Sequence, residues 1–163
     1  MLRLEEYCGE VMKTLQMGVF LVAGNNPPNI MPIHWGFLGM LWNKPVFAVP
    51  VRYSRYTNDL IEQYHEFAVS VPRKDMSTEI YRIGGNSGRD VNKFEKFHLH
   101  PGKTRKINSY IVADCGLHLE CKVIFKTGME TFQIFEESVK DNFYPDKNYH
   151  TMFYGEIVDA YEK

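Results

Sequence analysis

One segment of this chain alternates between two kinds of side chain over the nine residues from Leu117 to Phe125. Every second side chain is apolar, while most positions between them are polar, among them His118 and Glu120. A period of two is typical of a β-strand that turns one face to a core and the other to water or to an interface. The segment therefore predicts a strand with His118 on the face turned away from the core.

Apolar runs bounded by turn-forming residues recur along the chain. They predict further strands at residues 19–23, 30–37, 46–51, 67–71 and 151–161. The first three lie so close together that we expect an antiparallel meander, since a parallel pair needs a long crossover. Helical spacing predicts an opening helix that Gly18 ends, and Thr57 and Ser77 are the expected N-caps of two more helices. Residues 130–140 fit a helix or a strand. The pattern favours a mainly β fold, a barrel with flanking helices, built as one domain over residues 1–163.

The charge balance and the cysteines indicate which surroundings to expect. The net charge is −1, so no basic surface for nucleic acid is indicated. The longest apolar runs, such as residues 18–24, are too short to cross a bilayer, and acidic residues stand where a signal peptide would be apolar. Three cysteines suit a reducing compartment better than a disulfide framework. We expect a cytoplasmic protein with no nucleic-acid or membrane partner.

Common catalytic and metal-binding patterns are missing from the sequence. The dinucleotide fingerprint and the phosphate loop are absent, and the glycine-rich residues 84–88 follow a predicted helix rather than a strand. Cys115, His118 and Cys121 are close in sequence but do not share one face of the predicted strand. We expect no metal site, a surface histidine at 118 and cysteines in the core. No local nucleophile signature is present, so no catalytic side chain is predicted.

Two polar segments could bind a phosphate group. Residues 52–57 follow a buried strand and lead into a helix, and they bring Arg52 and Arg55 to a helix N-terminus where N–H groups are free. The alternative is a polar loop with an ordinary cap. Residues 87–93 have similar chemistry, and there the alternative is surface pairing among Arg89, Asp90 and Lys93.

The strand predicted at residues 30–37 carries an unusual mixture of side chains. An amide, a thioether, an imidazole and an indole occur together between Asn29 and Gly36. Pro32 cannot donate a hydrogen bond to a sheet, so it belongs at an edge or a bulge, where backbone groups are free for a ligand. A flat heteroaromatic ring with polar edges would fit this surface. The alternative is that Met31 and Trp35 are plain core residues.

These segments, in this order and spacing, resemble the flavin-reductase-like branch of the FMN-binding split barrels, which includes the flavoredoxins. The resemblance is carried by residues 18–22, 29–36, 44–46, 52–57, 66–72, 87–94, 119–123 and 150–156. It implies a six-stranded antiparallel Greek-key barrel with flanking helices. It also implies a homodimer that binds FMN near the subunit interface. The residues it assigns to the cofactor are Asn29, Met31, Ile33, His34 and Trp35 at the ring, Arg52, Ser54, Arg55, Tyr56 and Thr57 at the phosphate, Ser87, Arg89 and Lys93 from a second loop, and His150 at the edge of the ring.

The resemblance further implies an oxidoreductase. NAD(P)H would pass a hydride to FMN, and the reduced flavin would deliver electrons to free flavin, ferric iron or a redox protein. The flavin supplies this chemistry, so no acid–base triad is needed. The alternative is an FMN-binding electron carrier or flavin-binding module without NAD(P)H activity, and other split-barrel ligands or a structural role remain. The sequence departs from the family at Pro32 and His34, and departs furthest at residues 130–149.

Overall fold

The computed structural model describes residues 4–163 as an antiparallel sheet with helices packed around it. The helices are α1 (Leu4–Leu15), α2 (Tyr56–Tyr64), α3 (Ser77–Gly84), α4 (Lys93–Lys96) and α5 (Glu137–Phe143), with a 3₁₀ turn at Thr131–Gln133. The strands are β1 (Val19–Ala23), β2 (Asn29–Ile33), β3 (Phe37–Leu41), β4 (Lys44–Arg52), β5 (Glu66–Val71), β6 (Pro101–Lys103), β7 (Tyr110–Val112), β8 (Leu117–Gly128) and β9 (His150–Glu162). Within the described residues no helix is long and apolar enough to cross a bilayer.

The main sheet has seven strands rather than the expected six, and hydrogen bonds do not close it. Its order is β2-β1-β5-β8-β9-β4-β3, so β2 and β3 lie at opposite ends. The strand predicted at residues 30–37 is in fact two strands, because the chain leaves β1 after Ile33 and joins β4 at Phe37. The expected meander is therefore correct only for the β1–β2 hairpin. Strand β4 pairs with β3 and β9, and not with β2.

Both faces of the sheet are covered near β1. On one face Val19 and Leu21 belong to an apolar cluster that includes residues of α1, α2, β5 and β8. On the other face Phe20 and Val22 pack into a second cluster with α3, α4 and the β6–β7 hairpin. Burial on both sides explains why β1 is apolar throughout instead of alternating.

Because the second face of the sheet is covered, the side of β8 that carries His118 and Glu120 is not exposed as the sequence predicted. His118 and Glu120 are 0% exposed, although the alternating pattern placed them in water or at an interface. His118 contacts the Ser70 hydroxyl through Nδ1 at 3.1 Å. Cys121 lies in the first cluster and Cys115 in the second, so the prediction that these cysteines are core residues is confirmed. The prediction of a surface histidine at 118 is wrong, because the β6–β7 hairpin and its neighbours cover that side of the sheet.

The two predicted helix caps are also wrong. The N-cap residues are Arg55 for α2 and Met76 for α3, and neither side chain caps its helix. The Thr57 hydroxyl instead accepts a hydrogen bond from Nδ2 of Asn29 at 2.8 Å, a partner that only tertiary folding brings near. Ser77 is the first residue of α3, and its backbone N–H donates to the Asp75 carboxylate at 2.9 Å.

Candidate functional site

A pocket of about 290 Å³ opens between β2, the start of α2 and the first residues of β9. It is lined by Met31, Pro32, Ile33, His34, Trp35, Pro50, Arg52, Arg55, Gly84, Lys93 and His150. Most of these residues were assigned to the cofactor from the sequence, and four separate segments of the chain contribute them.

A second pocket of about 270 Å³ continues from the first. The two share Met31, Arg55, Gly84 and Lys93. The second pocket adds the remaining predicted residues Asn29, Ser54, Tyr56, Thr57 and Ser87. Every residue assigned from the sequence, Arg89 excepted, therefore lines one continuous depression, which we call the main pocket.

Lys93 stands at the junction of the two halves of the main pocket. Its side chain is only 4% exposed, and its ammonium group donates to the backbone carbonyl of Ile30 in β2 at 2.9 Å. Burial, and secondarily the nearby Arg55 guanidinium, lowers the pKa of Lys93 to about 8. No carboxylate offsets this charge, because none of the described residues that line the main pocket is acidic.

The charge at the main pocket is therefore positive. Within residues 4–163, no hydrogen bond or ion pair engages the exposed Arg55 guanidinium. Burial, together with Arg52 and Arg55, lowers the pKa of His150 to about 4, so this histidine is neutral at pH 7. When cations beside a depression lack a counter-ion, the depression favours the binding of an anionic group such as a phosphate.

The other two predicted arginines, Arg52 and Arg89, donate hydrogen bonds to backbone carbonyls and so stabilise loops near the main pocket. Arg52 donates to the backbone carbonyls of Phe143 and Asn148, both at 2.8 Å, and its guanidinium lies over the Tyr144 ring. Residues 143–148 were not assigned to the site, because this segment departs from the family pattern and carries no local signal. Its attachment to Arg52 is a purely tertiary feature.

Arg89 lies outside the main pocket. Its guanidinium donates to the backbone carbonyl of Ser54 at 2.9 Å and pairs with the Asp59 carboxylate. It also lies over the Tyr56 ring, 5.4 Å from the centroid. Arg89 therefore supports the loop that carries Arg55. The alternative of pairing among Arg89, Asp90 and Lys93 is wrong among the described residues, because Arg89 pairs with Asp59 and Lys93 donates to the Ile30 carbonyl.

An aromatic wall forms the other end of the main pocket. Trp35 is 45% exposed, so the alternative that it is a plain core residue is wrong. Its ring contacts Phe143 edge-on at 5.3 Å and His150 at 5.6 Å between centroids. The Tyr144 hydroxyl is hydrogen-bonded to Nδ1 of His150 at 2.7 Å, which holds the imidazole in place. Met31 is buried and belongs to the first core cluster while also lining the pocket.

One buried acceptor at the main pocket has no partner. Oδ1 of Asn29 makes no hydrogen bond within the described part of the chain, while its Nδ2 donates to Thr57. The loop at Gly88 passes so close that a Cβ there would lie 2.0 Å from this oxygen. A buried acceptor left unsatisfied costs about 1–3 kcal/mol, so a ligand hydroxyl that donates to it would be favoured.

Comparison with known proteins agrees with this architecture. The pattern of the flavin reductase like domain matches residues 12–163. A protein of Archaeoglobus fulgidus described as uncharacterized is 30% identical over 138 aligned residues, covering 79% of this chain and 77% of the relative. The flavoredoxin of Desulfovibrio vulgaris (Miyazaki F) superposes with a TM-score of 0.71 and 23% identity, covering 90% of this chain and 69% of that one. The FMN-binding protein of Thermus thermophilus superposes with a TM-score of 0.67 and 18% identity, covering 89% of this chain and 69% of that one.

The fold is thus that of the split-barrel class, here with an open seven-stranded sheet. The chain belongs to the flavin reductase like family. The resemblance inferred from the sequence is confirmed at this level, and it covers nearly the whole chain.

Proposed function

We propose that this protein binds FMN in the main pocket and passes electrons from NAD(P)H to a second acceptor, such as free flavin, ferric iron or a redox protein. The observation that carries the proposal is the pairing of two cations without counter-ions, Arg55 and Lys93, with an aromatic wall that contains Trp35. FMN combines a phosphate with a flat heteroaromatic ring and therefore matches both ends. When bound, the flavin supplies the hydride and electron chemistry.

The protein's own residues would bind and orient the cofactor. Arg55 and Lys93 would hold the phosphate through charge-assisted hydrogen bonds. Oδ1 of Asn29 would accept a hydrogen bond from a ribityl hydroxyl. Trp35 would pack against the ring, and His150, neutral at pH 7, would border it without adding charge.

The purified protein itself tests this proposal. We expect a yellow preparation that absorbs near ~450 nm, as a bound flavin does. Heat or acid should release a compound that co-migrates with FMN and not with FAD or riboflavin. A colourless protein that also fails to bind added FMN would contradict the proposal.

A second candidate is an electron carrier without NAD(P)H activity, which the structural likeness to a flavoredoxin favours. Aerobic oxidation of NADH and of NADPH, each with added flavin, distinguishes the two candidates. Turnover with either donor supports the reductase. Bound FMN without turnover by either donor supports the carrier.

The pKa of Lys93 leads to a pH-dependent affinity for FMN. The pKa is about 8 in the free protein, and a bound phosphate would raise it by favouring the ammonium form. The affinity for FMN should therefore be constant below pH 8. Above pH 8 Lys93 must take up a proton on binding, so the affinity should fall by up to tenfold per pH unit. Titrations from pH 6.5 to 9.5 measure this. The Lys93→Met variant should bind more weakly at pH 7 and lose the slope, and an unchanged slope would place the phosphate elsewhere.

We further propose a homodimer, as the family resemblance implies. Large apolar side chains are exposed together on β3 and the adjoining turn, where Phe37, Met40 and Trp42 are 61%, 70% and 63% exposed. Trp42 also contacts Phe125, which is 44% exposed. Exposed apolar side chains that contact one another, as Trp42 and Phe125 do, mark a protein interface. Light scattering at micromolar concentration should give twice the chain mass, and Trp42→Lys should give a monomer. A wild-type monomer would contradict this.

A further inference from the structure

A large groove lies next to the main pocket, between α3 and α4. It has a volume of about 750 Å³, and we call it the α3–α4 groove. It is lined by Met17, Pro32, His34, Ser77, Ile80, Tyr81, Arg82, Gly84, Gly85, Asn86, Lys96 and Phe97. Three of these residues, Pro32, His34 and Gly84, also line the main pocket. A single extended ligand could therefore occupy the groove and reach the aromatic end of the main pocket.

Two cations converge at one ring in this groove. The Arg82 guanidinium lies 5.4 Å from the centroid of Phe97, and the Lys96 ammonium lies 5.8 Å from the same centroid. Asn86 lies beside both residues, because Lys96 donates to its Oδ1 at 2.7 Å and its Nδ2 donates to the backbone carbonyl of Arg82 at 2.8 Å. No carboxylate lines the groove, and neither cation forms an ion pair within residues 4–163. Two like charges held together without a counter-ion favour an anion.

A neighbouring groove differs in that carboxylates line it as well as cations. That second groove, of about 730 Å³, shares Met17, Ser77 and Ile80 with the first. Its lining includes Glu10 and Asp75, and Arg73 there pairs with the Glu10 carboxylate at 2.7 Å. It also shares no residue with the main pocket. Of these two grooves, and among their described residues, only the α3–α4 groove both has cations without an ion pair and borders the main pocket.

The α3–α4 groove also offers surfaces for a flat base. Tyr81 is 84% exposed and Met17 is 71% exposed, both unusually high for large apolar side chains. Aromatic rings and thioethers pack favourably against heteroaromatic rings. The groove therefore presents base-binding and phosphate-binding surfaces side by side.

We infer that the α3–α4 groove binds the adenosine half of NADPH, with Arg82 and Lys96 holding the 2′-phosphate. This inference rests on the proposed function and specifies its electron donor. Two cations beside one ring, neither in an ion pair within residues 4–163, match a terminal phosphate, which carries about two negative charges on three oxygens. NADH lacks this group, so the protein discriminates in favour of NADPH. The nicotinamide end lies toward Pro32, His34 and Gly84, at the border with the main pocket.

Calorimetric titration of the FMN-loaded protein with 2′,5′-ADP and with 5′-AMP tests the inference, because the two ligands differ only in the 2′-phosphate. We expect 2′,5′-ADP to bind at least about tenfold more tightly. Arg82→Met and Lys96→Met should each weaken 2′,5′-ADP about tenfold and leave 5′-AMP nearly unchanged. Lys74→Met is the matched control, since Lys74 is an exposed lysine that lines the neighbouring groove, and it should change neither affinity.

Equal affinity for the two ligands, or no binding of either, would overturn the inference. So would an Arg82→Met protein with unchanged discrimination. The visible spectrum of each preparation reports FMN binding separately. A protein that holds FMN but ignores the 2′-phosphate refutes this inference and leaves the proposed cofactor intact. A protein that binds no FMN refutes the proposed function, and the same titration on it still decides whether the groove recognises the 2′-phosphate.

Discussion

Replacing Glu120 by alanine should lower the free energy of unfolding by about 3 kcal/mol, because three donors would lose their acceptor at once. The carboxylate is completely buried and accepts hydrogen bonds from the backbone N–H groups of Arg105 and Lys106, both at 2.7 Å, and from the Tyr161 hydroxyl at 2.8 Å. Burial, together with the hydrogen bond to Glu120, raises the pKa of Tyr161. Thermal unfolding should show a loss of roughly 6–12 °C in Tm, taking about 2–4 °C per kcal/mol for this size.

Glu66→Ala provides the matched control for this prediction. Glu66 also accepts a hydrogen bond from the same loop, from the backbone N–H of Asn108 at 2.7 Å, but it is half-buried and accepts only this one from residues 4–163. Its replacement should cost less than about 1 kcal/mol, since the exposed N–H can bond to water instead. Equal losses in the two variants would show that Glu120 does not organise the loop that joins β6 and β7.

Replacing Arg55 by alanine should weaken FMN binding by about 1.5–3 kcal/mol, roughly 10- to 150-fold in dissociation constant. The reason is that the Arg55 guanidinium lines both halves of the main pocket and has no partner among residues 4–163. All of its hydrogen-bonding capacity is therefore available to the phosphate. Fluorescence titration of the protein, freed of any bound flavin, with FMN measures the change. Riboflavin lacks the phosphate, so its affinity should change little.

Arg89→Ala is the informative comparison, because the family resemblance assigned both arginines to the cofactor. Arg89 is occupied by Asp59 and by the Ser54 carbonyl, so its loss should weaken FMN binding less than the loss of Arg55. If Arg89→Ala weakens binding as much as Arg55→Ala, or if Arg55→Ala leaves the affinity unchanged, our placement of the phosphate is wrong.

Local patterns were enough to predict several elements, and the family resemblance indicated most of the pocket residues. Strand β1 was predicted with its observed bounds, and β5 and β9 within one residue at each end, because their apolar runs end at turn-forming residues. The segments around Trp35 and Arg55 carry side chains too polar or too aromatic for plain strands and loops. Their composition therefore indicated a ligand surface before any contact was known.

Neighbours distant in sequence could not be predicted in the same way. The split between β2 and β3 depends on which strand each half pairs with, and no property of residues 30–37 specifies that choice. The segment around Tyr144 was missed because its role arises from contacts with Arg52 and His150.

The sequence by itself determined that this chain is a mainly β protein, because strand periodicity is a local property, and its resemblance to a known family indicated which side chains line the main pocket. The tertiary structure alone decided what covers each face and which charges remain unpaired. Glu120 is buried because a hairpin lies over it. Among residues 4–163, Arg89 pairs with Asp59, whereas the Arg55 guanidinium has no hydrogen-bond or ion-pair partner. Burial and charge compensation depend on neighbours in space, and these arise only when the chain has folded.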